Sequence, residues 1–459
     1  MKNIIIIDTD ELGLYKKFIH SDEFRVIACI VFYEQDKQYC LESGVKYVLT
    51  LEEADFLRHI DNFSFTLINT YRATQRKVEF GMMRALSSNM LIANKYYNML
   101  CWWEEIFHTN TIDCVFVNGI PHGYLPETTL LDMAQERKIP AYCTFPITST
   151  YSCIMRYDTK SNIHVSHPID SKLVTAHLFD SVKEWCSKDV IHQILQHKKK
   201  WIWIHSWGGA VALDVVSCIR HLKSTIHMGF YKNMRLVEKL YSFWRLKEME
   251  RFYKKHAISF DSTQKYIFYA MHFEPEAGTG VIVDLQNQLT IIQMLHDSLP
   301  SGWKIYIKEH PHQLDINNVR EHFFLINFQF FKDKSFYEEI LKFENVILID
   351  NKVPSQQLML HSQAIATING SIILESTHHA KPCITFDNAI MPITQSKLFS
   401  NIHTFSSVPK LKHFLQQLDK QELVFTPPTT EQYQKLACFY FDHSKPEIVA
   451  QSILTDLEA

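Results

Sequence analysis

Residues 364–386 read AIATINGSIILESTHHAKPCITF, and this stretch decides the fold. A short apolar run, Ala364 to Ile368, is followed by Asn369-Gly370-Ser371, a helical pattern over Ile372 to His379, Lys381-Pro382, and a second apolar run ending at Phe386. Apolar runs of this length bounded by turn residues are expected of strands buried on both faces, so the segment predicts strand, turn, helix, strand. The turn has two readings. Gly370 permits close backbone approach and Ser371 stands where helix N–H groups point outward, which suits a phosphate, with Asn369 shaping the loop. Ser371 before an apolar helix, with Glu375 in its first turns, is also ordinary capping chemistry.

Working toward the N-terminus, the same rhythm begins at Lys265: strand Tyr266 to Met271, helix near Leu285 to Leu299, strand Trp303 to Lys308, strand Asn345 to Ile349, helix Ser355 to His361. Two loops in this series carry candidate chemistry. Lys308-Glu309-His310-Pro311-His312 follows a strand, so its side chains should emerge at a carboxyl end, where α/β sites form. His310 can donate a hydrogen bond to a phosphate oxygen, Pro311 restricts the backbone beside it, and Lys308 adds positive charge. His272-Phe273-Glu274-Pro275-Glu276-Ala277-Gly278-Thr279-Gly280 follows the first strand of the series, and Glu276 is suited to binding sugar or ribose hydroxyls.

The first part of the chain shows a similar alternation. Asn3 to Ile7, Arg25 to Phe32, Phe65 to Asn69 and Asp113 to Val117 read as buried strands, and Thr128 to Lys138 as an amphipathic helix. Ile120-Pro121-His122-Gly123 and Glu127 follow the last of these strands. They supply an imidazole and a carboxylate, either of which can act as a general base. Asp8-Thr9-Asp10 follows the first strand and serves equally well as a helix cap.

With 459 residues, the chain exceeds the size of one hydrophobic core. The expected class is α/β, with two Rossmann-like domains facing a central cleft. The expected boundaries are 1–190 for an acceptor-side domain, 191–261 for a partly helical connection, 262–430 for a nucleotide-donor domain, and 431–459 for a helical segment returning to the first domain. A net charge of -3 supplies no field for a nucleic-acid backbone, so no nucleic-acid partner is expected. The 10 Cys are scattered without a CxxC pair and suit a reducing cytoplasm. Met1 to Asp8 lacks the form of a signal peptide and reads as a first strand; no apolar run is long enough to span a membrane. Lys198 to Lys200 beside Trp201 and Trp203 reads as a solvated linker or, alternatively, as peripheral contact with anionic headgroups on the cytoplasmic face of a membrane. P-loop, Gly-x-Gly-x-x-Gly and HExxH motifs are absent, which points away from P-loop NTPases and dinucleotide dehydrogenases. Neither a metal nor a cofactor is expected.

In order, HFEPEAGTG, KEHPHQ and NGSIILESTHHAKPCITF resemble segments of the bacterial capsule polysaccharide biosynthesis proteins that include Kdo transferases, over about residues 262–390. A His-Pro motif with a downstream Ser also recurs in bacterial sialyltransferases and teichoic-acid glycerophosphate transferases. The resemblance implies a GT-B fold and an inverting glycosyltransferase that takes a nucleotide-activated sugar. The donor would be a CMP-linked acidic sugar such as CMP-Kdo, and the acceptor a glycan or lipid-linked glycan of capsule or lipopolysaccharide O-antigen. It also implies that His310 and Ser371 hold the donor phosphate, that Asn369 and Gly370 shape that loop, and that Glu276 lies near the donor. The chain departs from the better-known Kdo transferases in lacking their acidic first-domain motif, and has His122-Gly123 and Glu127 nearby instead. Two alternatives stay open: transfer of glycerol or ribitol phosphate from a CDP donor, and a non-catalytic partner in polysaccharide assembly or export.

Overall fold

The computed structural model describes residues 1–9, 13–84, 86, 88–119, 125–146, 151–157, 163–165, 236–274, 285, 287–311, 313–314, 331–386, 392–395, 397–442 and 447–459. These fall into two compact units. One comprises the described residues within Met1–Thr175 and Gln434–Ala459, the other those within Ala176–Thr279 and Val283–Tyr433. Segments 120–124, 166–235 and 275–284, which carry His122, the Lys198–Trp203 cluster and Glu276, lie outside the described residues.

The first unit is built on strands β1 (Lys2–Asp8), β2 (Phe24–Val31), β3 (Tyr47–Thr50), β4 (Cys114–Asn118), β5 (Ala141–Pro146), β6 (Tyr151–Arg156) and β7 (Ile163–Val165). The second uses β8 (Tyr266–Ala270), β9 (Lys304–Lys308), β10 (Val346–Leu348), β11 (Ala364–Thr367), β12 (Cys383–Phe386) and β13 (Ile402–Phe405), and β14 (Tyr440–Asp442) returns to the first sheet. The first sheet runs β14-β6-β5-β4-β1-β2-β3, with β7 paired to β6. Strands β1 to β5 are parallel, and β6, β7 and β14 add antiparallel pairings. The second sheet runs β10-β9-β8-β11-β12-β13, all parallel. In each sheet the first strand is central and the next strands build outward on one side before the chain crosses to the other. This is the doubly wound Rossmann order, and the α/β class with two such sheets holds.

Strand β1 shows why the central positions need these residues. Ile4, Ile5, Ile6 and Ile7 are all completely buried, as a parallel strand covered on both faces requires. The C-terminal helix Glu447–Glu458 packs Val449 and Ile453 into the same core as Ile4, Ile6, Phe18 and Phe116, and Tyr142 donates a hydrogen bond to Asp456 at 2.6 Å.

One expected strand is a helix. Phe65–Thr70 is helical because Ser64, in extended conformation, accepts a hydrogen bond from Leu67 N at 3.1 Å and so caps it. The buried positions are Leu67, Ile68 and Tyr71, with helical spacing, while Phe65 is 81% exposed. The place in the first sheet beside β2 belongs instead to β3. The charged run Leu236–His256 is a helix, and Leu246, Met249 and Tyr253 are buried within the second unit. Among the described residues, no helix is long and apolar enough to cross a membrane.

Candidate functional site

In a doubly wound sheet the ligand crevice lies outside the carboxyl ends of the strands, where the winding reverses. In the second unit this point lies between β8 and β11, with β9 on the far side of β8. Three loops issue there: His272 to Glu274 after β8, Glu309 to Pro311 after β9, and Ile368 to Ser371 after β11. The ends of β9 and β11 are about 10 Å apart, two strand spacings.

The turn after β11 is tightly specified. The Thr367 hydroxyl donates to the Asn369 carbonyl at 2.8 Å, and the N–H groups of Ile368 and Asn369 donate to His272 Nε2 at 3.3 and 3.2 Å. Gly370 has φ +115, a conformation L side chains rarely adopt, and a Cβ there would meet His272 Cε1 at 3.5 Å. Ser371 is already helical (φ -61, ψ -25) and its hydroxyl makes no capping hydrogen bond to the helix Ile372–His378. The Ser371 side chain therefore does not cap this helix. Glu375 is in the first turn, half-buried, and its N–H donates to the Ser371 carbonyl at 3.2 Å.

The loop after β9 rests on a buried ion pair. Glu309 and Lys332 are both 0% exposed at their side chains, with Nζ 2.9 Å from Oε2 and 3.1 Å from Oε1. Glu309 Oε1 accepts the His310 N–H at 2.6 Å, Tyr337 donates its hydroxyl to Oε2, and the Glu309 N–H donates to the Tyr253 hydroxyl at 3.1 Å. A buried carboxylate is tolerable only when its oxygens are satisfied in this way. His310 is half-buried and its ring lies 5.6 Å from that of Phe273, which follows β8. Lys308 donates to the Ser355 hydroxyl at 3.0 Å, at the start of the helix Ser355–His361.

The loop after β8 is locked to both neighbours. Gln313 bonds the Glu274 backbone twice, accepting its N–H at 2.7 Å and donating to its carbonyl at 2.9 Å. Gln288 accepts the His272 N–H at 2.9 Å and donates to the Glu274 carboxylate at 2.8 Å. Lys332 Nζ donates to the His272 carbonyl at 3.2 Å. Burial, with the Lys332 charge adding to it, pushes the His272 imidazole down to about 3, so it is neutral.

The first unit carries a comparable chain of polar groups at its own reversal point. Asn118 at the end of β4 donates to Asp8 at the end of β1 (2.8 Å) and accepts the Thr144 hydroxyl (2.8 Å), while Gly119 N–H donates to Thr144 (2.7 Å). Asp8 also accepts the Tyr15 N–H at 2.8 Å, at the start of the helix Tyr15–Ile19, so this carboxylate has the capping role. Glu127 sits in the first turn of the helix Leu125–Glu136 and is 5% exposed.

His272, Gln313 and Lys332 carry no role in the sequence reading. His272 and Gln313 lie within motifs that the sequence singles out, and their place directly after β8 and β9 is a usable signal. Lys332 has none: it stands 60 residues from His272, and only the fold brings the two together.

No protein-family model and no curated protein matches the chain. Among solved structures, it is similar to UDP-GlcNAc 2-epimerase from Neisseria meningitidis bound to UDP-GlcNAc, at 13% identity and TM-score 0.29, over 99% of this chain and 100% of that one. Anabaena Alr3699/HepE in complex with UDP-glucose is similar at 11% identity and TM-score 0.29, over 100% of both chains. Spinosyn rhamnosyltransferase SpnG complexed with spinosyn aglycone is similar at 9% identity and TM-score 0.25, over 100% of both. A likeness at these scores assigns neither an activity nor a ligand to the chain.

Proposed function

We propose that the chain is an inverting glycosyltransferase of GT-B type that binds a nucleotide-activated sugar on its second unit and extends a bacterial surface polysaccharide. The observation that supports this reading is that the His310 loop and the Asn369-Gly370-Ser371 turn follow β9 and β11, on either side of β8, and that each is tied to the loop after β8, through Lys332 and through His272 Nε2. His310 donates to a donor phosphate oxygen, and Ser371 with the N–H groups at the helix start takes the others. These groups stabilise the charge on the departing phosphate. Glu276 contacts ribose or sugar hydroxyls, and Glu127 or His122 removes the acceptor hydroxyl proton. Lys308, held on Ser355, supplies charge behind the loop. The donor is a CMP-linked acidic sugar of Kdo type, the acceptor a glycan or lipid-linked glycan, and the place of action the cytoplasmic face of the inner membrane.

The test is turnover. Purified protein is incubated with CMP-Kdo, generated in situ, and a lipid-linked glycan, and the product mass is read. A mass increase of one sugar residue, abolished by E127Q or H122A with donor binding retained, supports the assignment. Transfer of a glycerol phosphate or ribitol phosphate mass from a CDP donor replaces it with phosphoryl transfer. Nucleotide binding without any product favours an assembly or export partner.

A further inference from the structure

The hydrogen bonds at His272 specify a tautomer. The N–H groups of Ile368 and Asn369 have hydrogens fixed by the backbone, and both point at Nε2, at 3.3 and 3.2 Å. Nε2 must therefore be the unprotonated nitrogen. The Thr367 hydroxyl, 2.9 Å from Nε2 and 2.8 Å from the Asn369 carbonyl, rotates and adapts to either. The backbone that carries the ring is fixed in turn, because the His272 N–H is bonded to Gln288 and its carbonyl to Gln288 and Lys332. Removing the Nε2 acceptor would leave two buried backbone N–H groups without their partner, at the bend that delivers Gly370 and Ser371.

We infer that His272 is a positioning residue of the nucleotide-phosphate site: its unprotonated Nε2 holds the backbone from Ile368 to Asn369 so that Gly370 and Ser371 meet the phosphate. Through Lys332, whose ammonium joins the His272 carbonyl to Glu309, the same residue is coupled to the loop that carries His310. The phosphate-binding geometry is thus set from beneath by a side chain that does not itself touch the ligand. The inference rests on the donor-phosphate reading of this site.

The test compares H272M, which keeps bulk but has no comparable acceptor, with H272Q, whose side-chain carbonyl can stand in for Nε2. Titration calorimetry is run with whichever of CMP, CDP, UDP, GDP or ADP binds the wild-type protein, and with the matching nucleoside. The expected result is that H272M weakens the nucleotide at least tenfold, leaves the nucleoside within twofold, and that H272Q restores most of the difference. Equal losses for nucleotide and nucleoside, or none for either, overturn the inference. Long-range proton–nitrogen spectra of the wild-type protein, labelled at histidine, give a readout without a variant. They should place the His272 proton on Nδ1 at neutral pH, and a proton on Nε2 overturns the inference. A wild-type protein that binds none of the five nucleotides removes the donor-phosphate reading itself.

Discussion

Lys332 and Glu309 form an ion pair 2.9 Å long with neither side chain exposed, and the same ammonium reaches the His272 carbonyl at 3.2 Å. The pair ties the loops after β8 and β9 together beneath the candidate site. Removing one partner leaves a buried charge uncompensated, which typically costs about 3–5 kcal/mol. K332M is therefore expected to lower unfolding stability in urea by about 3 kcal/mol or more. A loss under about 1 kcal/mol, the range of an exposed pair, contradicts that assignment.

His272 makes stability depend on pH. Its imidazole is lowered from the ordinary 6.5 to about 3, so as pH falls the unfolded chain takes up the proton first. The contribution is complete above pH 6.5 and is lost progressively down to about pH 3. Lys332 is the charge that acts on it. At about 1.4 kcal/mol per pH unit, the wild-type protein should lose on the order of 2 kcal/mol more than H272Q between pH 6.5 and 5. Parallel pH profiles for the two proteins would show that the imidazole is not buried neutral. The difference between them removes the contributions of His379 and His403, which burial also lowers.

Ser371 separates capping from ligand binding. A lost cap costs about 1 kcal/mol, but the Ser371 hydroxyl makes no capping bond. S371A should therefore keep its melting temperature within about 2 °C while weakening nucleotide binding. A destabilised variant with unchanged binding would restore the capping role.

Ser64 tests the one expected strand that is a helix. Its hydroxyl accepts the Leu67 N–H at 3.1 Å, so S64A should cost about 1 kcal/mol and S64D, an equally good cap, little. Equal loss in both variants contradicts the cap.

Much of the second unit is legible in sequence because its strands are short, mostly apolar and separated by strong turn residues. Ala364 to Phe386 reads correctly as strand, turn, helix and strand, and the helix Ser355–His361 falls where its pattern places it. Phe65 to Asn69 misleads because a five-residue stretch with three apolar residues has no decisive period, and the cap at Ser64 outweighs it. The loop residues of the candidate site, His310, Gly370 and Ser371, are visible as motifs. Their support is not, because Lys332 and Tyr253 meet Glu309 only through tertiary packing, 23 and 56 residues away in the chain. Lys308 illustrates the same limit: sequence gives it a charge, and only the fold directs it to Ser355.

The most direct measurement is a thermal-shift panel of CMP, CDP, UDP, GDP and ADP against the wild-type protein, H310A and S371A. A ligand that binds only the folded state raises the melting temperature, by an amount set by its concentration relative to Kd. CMP is expected to raise the melting temperature of the wild-type protein, and the rise to shrink in both variants. A rise with no nucleotide, or one that H310A and S371A leave unchanged, contradicts the donor-phosphate reading.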